Sequence, residues 1–534
     1  MTIRFHNQLT KQVDDFNTIE PGKVSLYTCG PTVYNFLLIG NWTAYIYWDT
    51  LVRLLRANDL KVERVMNITD VGHLVSDADD GEDKLQKGAR REGKTAWEVA
   101  KFYTDDFMKG MKRLNLIQPD HITKATDYIT EQINLIRTLK KKGHTYQIDD
   151  GIYFDTSTFP SYGDFAGLDL QAQRAGARVE YNDEKRNPSD FALWKFSPLD
   201  EQRDMEWATP ADLLDVTSIE GTKSEVQARS AETIPSNERN VEVGPSDEMV
   251  PTDERTVDVG PGSQSGPRMG FPGWHIECSA MAMKLLGNTL DIHTGGIDHI
   301  PVHHTNEIAQ SEAATGVRFS NFWLHNNHLK ADGTKISKSL NNGYTLDDIE
   351  EKGYNLTAFR LFILQSHYRS ESNFTFENLD AANNRLLHWR SIAALRHQTH
   401  DTLRDDDEKS SDGSVLLYAT SRAILEAMND DIDTPTAFAI IDEAFDRLQG
   451  ASINDIHRHA LVELFDTIDE LFGLQLLDTT PDVTDDQKRL ILERERARES
   501  KDFKRADSIR DQIEKDGITI RDTASGPIWE YLRN

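Results

Sequence analysis

Between residues 23 and 116 short apolar runs alternate with stretches of helical period, and no other feature of the chain restricts its fold so far. Runs 24–27 and 62–68 have the length of buried strands, while 44–55 spaces its apolar residues as a helix does. That alternation predicts a parallel sheet of the α/β class. At 534 residues the chain exceeds what one core can hold. Residues 118–210, with further helices and a strand at 151–154, read as an insertion between two halves of the sheet domain. From 211 to 268 aromatics are absent, Glu, Asp, Ser, Thr, Pro and Gly dominate, and ERNVEVGP returns as ERTVDVGP. Such a composition cannot bury enough apolar surface to fold and predicts a disordered acidic insertion. Ordered patterning resumes from 270 to 395. After a charged stretch at 400–414 the spacing predicts helices over 416–428, 435–448, 455–472 and 484–516, then a strand at 518–520. Asp433, Thr434 and Pro435 supply a cap and first-turn proline to the second of these helices.

The chain carries 89 Asp and Glu against 60 Lys and Arg. Taken alone, that balance opposes nucleic-acid binding, which needs basic contacts to phosphate. A cytoplasm of molar salt gives a second explanation, because dense carboxylates then keep a protein hydrated while the Debye length shrinks to roughly 3 Å. We read the charge in this salt-adapted way, with local basic patches still able to hold RNA. The N-terminal MTIRFHNQLTKQ has no apolar core of signal-peptide length, and no apolar run reaches membrane-spanning length. A cytoplasmic protein with no membrane partner is expected. Only Cys29 and Cys278 are present, and a cytosolic chain seldom joins such a pair as a structural disulfide, so both are candidate ligands.

The chemistry concentrates in three stretches. In DIHTGGIDHIPVHHTNEIAQSE (291–312), a helix after Pro301 would put His303 and Glu307 on one face, four residues apart. With the two cysteines they supply two thiolates, an imidazole and a carboxylate, a donor set that suits tetrahedral zinc. An isolated pair at this spacing also reads as a simple helical hydrogen bond. KISKS (335–339) brings Lys335 and Lys338 into a loop which, with Gly295, Gly296 and the Cys29-Gly30-Pro31 corner, suggests a clamp for a triphosphate. In PTVYNFLLIGNWTAY (31–45) a phosphate would meet backbone N–H groups around Gly40 and the amide of Asn41.

The ordered series YTCGPTVY, x-IGN, NITDVGH, NPSDFALWK, GFPGWHIECSAM, HHTNEIAQS and KISKS resembles the cysteinyl-tRNA synthetase family. The resemblance reaches the C-terminus through DDIDTP (430–435) and KDFKRADSIRDQI (501–513); the acidic insertion falls outside it. It implies a Rossmann-type class I catalytic domain, an inserted connective domain, a helical bundle and a small anticodon-binding tail. The boundaries expected are 1–117 and 269–325 for the two catalytic halves, 118–210 for the connective domain and 211–268 for the insertion. KISKS and a stem-contact region follow at 326–395, the bundle at 396–480 and the tail at 481–534. It further implies an enzyme that activates L-cysteine with ATP and magnesium and passes it to tRNA(Cys), acting as a monomer with one zinc per chain. The zinc ligands would be Cys29, Cys278, His303 and Glu307. Thr69 and Trp274 would line the cysteine pocket, Gly295, Gly296 and Asp298 would lie by the adenosine, and Gly40 and Asn41 by the phosphates. Lys335 and Lys338 would act in catalysis, Lys338 neutralising the pyrophosphate. The chain departs from the family at Leu38, where a histidine is usual, at Thr43, where a basic residue is usual, and at Thr305 and Ile336, where glutamate and methionine are usual. Those departures leave two further readings, a catalytically impaired paralogue and a ligase that joins cysteine to a small amine.

Overall fold

The computed structural model describes residues 2–72, 83–168, 183–199, 202–215, 267–336, 342–398, 412–450, 456–523 and 526–532. Lys338, nearly all of the acidic insertion and the charged stretch at 400–411 lie outside the described residues.

Five strands form one parallel sheet in the spatial order His121–Lys124, Lys61–Ile68, Lys23–Thr28, Leu290–Gly296, Ser320–Asn326. Numbered along the chain, this is the order 3-2-1-4-5, which reverses direction between the first and fourth strands. Their carboxyl ends, at Thr28 and Gly296, therefore flank the crevice where sheets of this kind bind ligands. The alternation of the sequence predicts this sheet, and it is what the chain builds.

Helix α1, Ile39–Ala57, follows the first strand through the Cys29-Gly30-Pro31 corner. Glycine is required there: a Cβ on Gly30 would stand 1.6 Å from the Asn67 carbonyl oxygen. Helices α2, Lys84–Glu92, and α3, Ala96–Arg113, come next, each with a side-chain N-cap, from Asp83 and Thr95 respectively. The stacked rings of Trp42 and Phe107, 5.4 Å apart, hold α3 on α1.

A second sheet, antiparallel in every pairing, runs Thr145–Ile148, Gly151–Phe154, Phe191–Phe196, Met269–Pro272, Trp207–Ala208. The parallel sheet thus takes an edge strand from the span 118–210, and the second sheet takes a strand from the span that begins at 269.

The C-terminal part is helical, with helices Asp412–Asn429, Thr434–Gly450 and Arg458–Phe472 where the periodicity puts them. Asp433 accepts from the Thr436 N–H, as its capping position predicts. The single helix expected over 484–516 is two, Asp485–Glu499 and Phe503–Lys515, which pack on each other. Lys501 turns the chain at φ 61°, and the Asp502 carboxylate caps the second helix through the Arg505 N–H. No glycine or proline marks this corner, so periodicity runs through it unbroken. The strand at its end, Ile518–Thr523, pairs with a partner the sequence reading missed, Gly526–Tyr531.

Candidate active site

A cleft of about 620 Å³ opens at the carboxyl ends of the two central strands. Cys29 directly follows the first strand, its N–H bonded to the Thr294 carbonyl of the fourth at 3.2 Å. Cys278 comes from the buried face of the helix Trp274–Leu286. His303 lies in a π-helical turn, Ile300–His304, that runs directly into the helix Thr305–Thr315 carrying Glu307. Helical spacing does bring the pair together, with His303 Nε2 3.1 Å from Glu307 Oε1. One ligand atom from each of Cys29, Cys278, His303 and Glu307 falls within 4.8 Å of all the others.

A second donor set shares two of these groups: Cys29, His293, His304 and Glu307 also lie within 4.8 Å of one another. His293 Nε2 is 3.0 Å from Glu307 Oε2, and His304 Nε2 is 3.4 Å from Cys29 Sγ. Cys29, Cys278 and His303 line the cleft, whereas His293 and His304 are fully buried. The first set therefore reaches the cleft through three groups, the second through Cys29 alone. Both Glu307 oxygens are buried and face the His303 and His293 ring nitrogens out of hydrogen-bond geometry, so a cation among these groups would complete a carboxylate that the imidazoles satisfy poorly. Two thiols, an imidazole and this carboxylate fit a zinc ion.

Without a cation the four groups share protons unevenly. Burial pushes the Cys29 thiol up, but contacts from Cys278 and the imidazoles of His304, His299 and His303 outweigh it and hold the group well below the usual thiol range. Cys278 is pushed the other way, by burial and by Cys29 and Glu307. His303 rises to about 10 against its burial because Glu307 and Cys29 face it. Burial takes His304 down to about 3. Cys29 is thus the anionic thiol of the pair, and Cys278 and His303 would each give up a proton on binding zinc.

Thr69 donates to Glu277 Oε1 at 2.5 Å and accepts from Asn67 at 3.0 Å, so its hydroxyl is fixed at the cleft wall. Trp274 lines the same wall with its ring 4.6 Å from that of His303. Gly295, Gly296 and Asp298 line the cleft too. A Cβ on Gly295 would come within 2.6 Å of the His304 ring, while one on Gly296 would meet nothing within 4 Å. Packing demands the first glycine; the second leaves open space at the cleft. Asp298 is exposed and reaches His328 at 3.3 Å.

At the N-terminus of α1, Asn41 Oδ1 accepts from the Leu38 N–H at 3.0 Å, and the Ile39 N–H goes to the Tyr344 carbonyl. Gly40, Asn41 and Leu38 all line the cleft. Leu38 rests on Gly343, where a Cβ would stand 2.8 Å from its Cδ1. Thr43 does not join them. It is 1% exposed and bonds the Ile39 carbonyl, so the two departures that sit close in sequence face opposite environments. Thr305 caps the π turn through the Ile300 carbonyl at 2.7 Å, and Ile336 packs over Gly40.

Lys335 lines the cleft as expected. Sequence reasoning missed Lys330 and Glu371, a pair at 2.6 Å on its rim, and the imidazoles behind the donor set. Of those, His304 and His325 are joined at 2.7 Å and His275 and His303 at 3.0 Å. The density of histidine in 293–304 was the available signal.

Comparison with known proteins agrees with this geometry. Residues 15–213 and 256–384 match the class I (C) tRNA synthetase catalytic domain, and 480–529 match the cysteinyl-tRNA ligase anticodon binding domain. The chain is 35% identical to a cysteine–tRNA ligase of Treponema denticola, covering 100% of both proteins. It is 38% identical to cysteine–tRNA ligase 1 of Burkholderia lata, over 98% of this chain and 96% of that one. The fold alone is shared with methionyl-tRNA synthetase of Mycobacterium tuberculosis in complex with methionyl-adenylate, at TM-score 0.52 and 14% identity over 86% of this chain and 91% of that one. A LeuRS of Agrobacterium radiobacter K84 in a ternary complex superposes at TM-score 0.55 and 13% identity, over 88% and 86% of the two chains. With both catalytic and anticodon-binding regions matched and relatives aligned end to end, the chain belongs to the cysteine–tRNA ligase family of class I aminoacyl-tRNA synthetases.

Proposed function

We propose that the chain activates L-cysteine with ATP and transfers it to tRNA(Cys), using the cleft above. The observation that carries this reading is the meeting of two thiols, His303 and a buried Glu307 beside Thr69 and Trp274, at the switch point of the sheet. Cys29, Cys278, His303 and Glu307 would hold zinc. That ion supplies a soft Lewis acid that favours a thiol over a hydroxyl, and so separates cysteine from serine.

The remaining work falls to the chain. Thr69, locked by Glu277 and Asn67, presents a fixed dipole to the amino acid, and Trp274 closes the wall against water. We assign the adenosine to the open side of Gly296, with Asp298 accepting from a ribose hydroxyl. The α1 N-terminus and Lys335 face the phosphates, which arrive with magnesium; Lys338, outside the described residues, completes that clamp in our reading. The cysteine carboxylate attacks the α-phosphorus, the bond to pyrophosphate breaks, and the terminal ribose hydroxyl of the RNA then displaces AMP from the carbonyl. Cys29, Cys278, His303, Thr69, Trp274, Asp298 and Lys335 line one cleft of one chain, which supports a monomer. We divide the chain as its sequence suggests, into two catalytic halves, connective domain, bundle and tail. No helix of the described residues is long and apolar enough to cross a membrane.

The test is cysteine-dependent exchange of labelled pyrophosphate into ATP, followed by charging of tRNA(Cys), in buffers from 0.1 M to molar salt. Exchange with cysteine and not with serine is expected. Cysteine binding without exchange would overturn the reading.

A further inference from the structure

Beside the cleft stands a surface that reverses the charge balance of the chain. Residues 84–113 carry nine Lys and Arg against four Asp and Glu, in a chain whose overall balance is the reverse. Lys87, Arg90, Arg91 and Lys94 of this stretch are exposed. Two phenylalanines are exposed among them, Phe36 at 41% and Phe102 at 45%. Their rings meet edge to face at 6.0 Å, and each touches the buried Tyr103 ring at 5.1 Å. Lys94 Nζ stands 4.7 Å from the centre of the Phe102 ring, and Arg91 donates to the Tyr103 hydroxyl at 3.3 Å.

The position of this patch is as informative as its composition. Phe36 itself lines the cleft, so the aromatic surface runs into the active site without a break. Gly88 brings α2 against the same loop: a Cβ there would lie 3.4 Å from the Tyr34 carbonyl oxygen. Phe102 stands on α3, which the Trp42–Phe107 stack anchors to α1. Phe102 is held out on a packed helix, and Phe36, in the loop before α1, rests its ring on Phe102 and Tyr103.

Exposed aromatic faces interleaved with cations are what unpaired nucleotides require, since bases stack on the rings while the phosphates meet Lys and Arg. Bases paired in a duplex have no free face to offer. Molar salt would weaken the phosphate contacts and leave the stacking, which suits a platform built around rings. We propose that Phe36, Phe102, Arg91 and Lys94 form a stacking platform for the single-stranded 3′ end of the RNA substrate as it enters the cleft. This rests on the function proposed above.

The experiment compares Phe102→Ser, Phe102→Tyr and the parent chain in binding two transcripts of tRNA(Cys), one complete and one lacking its unpaired 3′ nucleotides. Pyrophosphate exchange, which needs no RNA, is measured on the same samples. Phe102→Ser should weaken binding of the complete transcript at least about fivefold, the low end for losing one stacked base. The truncated transcript should show no such difference, and Phe102→Tyr should bind as the parent does. Equal binding of the complete transcript by Phe102→Ser and parent, or an equal loss on both transcripts, would overturn the platform. Absence of exchange in the parent would instead count against the proposed function, and the binding comparison would still decide the platform.

Discussion

Asp49→Asn is the substitution whose cost the structure allows to be worked through. Asp49 sits on α1, fully buried, and its Oδ2 lies 2.5 Å from Arg360 Nη2 and 2.7 Å from Arg53 Nε. Its Oδ1 accepts from the Ile117 N–H at 2.6 Å. The two guanidiniums go on to carbonyls of other elements: Arg360 to Phe472 and Leu114, Arg53 to Asn115 and Glu470. Gly473, at φ 62°, lets the chain pass over them, since a Cβ there would stand 2.8 Å from Arg53 Cζ. One carboxylate thus ties the helix that starts at the phosphate loop to the C-terminal bundle. Asparagine keeps the bond from Ile117 but turns an N–H₂ toward two cations. Breaking a buried pair costs about 3–5 kcal/mol. Arg53 retains 11% side-chain exposure and can rehydrate in part, so a loss of about 3–4 kcal/mol is expected, a large share of the roughly 5–15 kcal/mol that holds a domain folded. Urea unfolding at fixed salt, followed by tryptophan fluorescence, measures it. The half-exposed pair Arg510–Glu514 serves as control, and Arg510→Ala should cost no more than about 0.5 kcal/mol. Burial raises the Asp49 pKa, but Arg360 and Arg53 more than offset it and leave the group below its usual value. A depressed folded pKa gives stability that is present above the unfolded aspartate value of about 3.9 and lost as pH falls through the folded one. The gap between parent and variant should therefore persist at pH 7 and narrow below about pH 4. A loss under about 1 kcal/mol at pH 7, or a gap that widens in acid, would refute the reasoning.

Cys278→Ser should lower zinc from about one per chain to a small fraction by elemental analysis; full retention would move the ion to the set with His293 and His304. Leu38→His should raise pyrophosphate exchange at least about tenfold with ATP affinity altered far less, because a positioned donor acts on transition-state charge; equal rates would mean that other groups already fill the role. Thr43→Arg should lower thermal stability rather than help, since the position faces the core. Gly30→Ala, with its Cβ 1.6 Å from a carbonyl oxygen, should abolish soluble expression, and a stable variant would show that the corner can move.

Much of the molecule was legible in local pattern. Strand 151–154 and three bundle helices fall where period and capping put them, because both signals are contained in a few neighbouring residues. The ligand candidates were legible for a chemical reason: few residue types can hold a soft metal, and the chain has only two cysteines to offer. The turn at Lys501 was not, because its left-handed residue and aspartate cap carry no strong breaker.

The sequence by itself therefore determined an α/β chain with a helical C-terminus, the strand-to-helix corner at Gly30, and the residue types able to bind zinc and phosphate. Only the tertiary structure decided which of them meet. Cys29 and Glu307 belong to two overlapping donor sets because the fourth strand lies beside the first, bringing His293 and Thr294 next to Tyr27 and Thr28. Leu38 opens on the cleft while Thr43, five residues on, turns into the core. Phe36 and Phe102 share one exposed surface because α3 packs on α1. The physical reason is common to all three: a side chain's direction and its neighbours depend on which elements pack together, and packing is settled between segments far apart in the chain, beyond the reach of any local period.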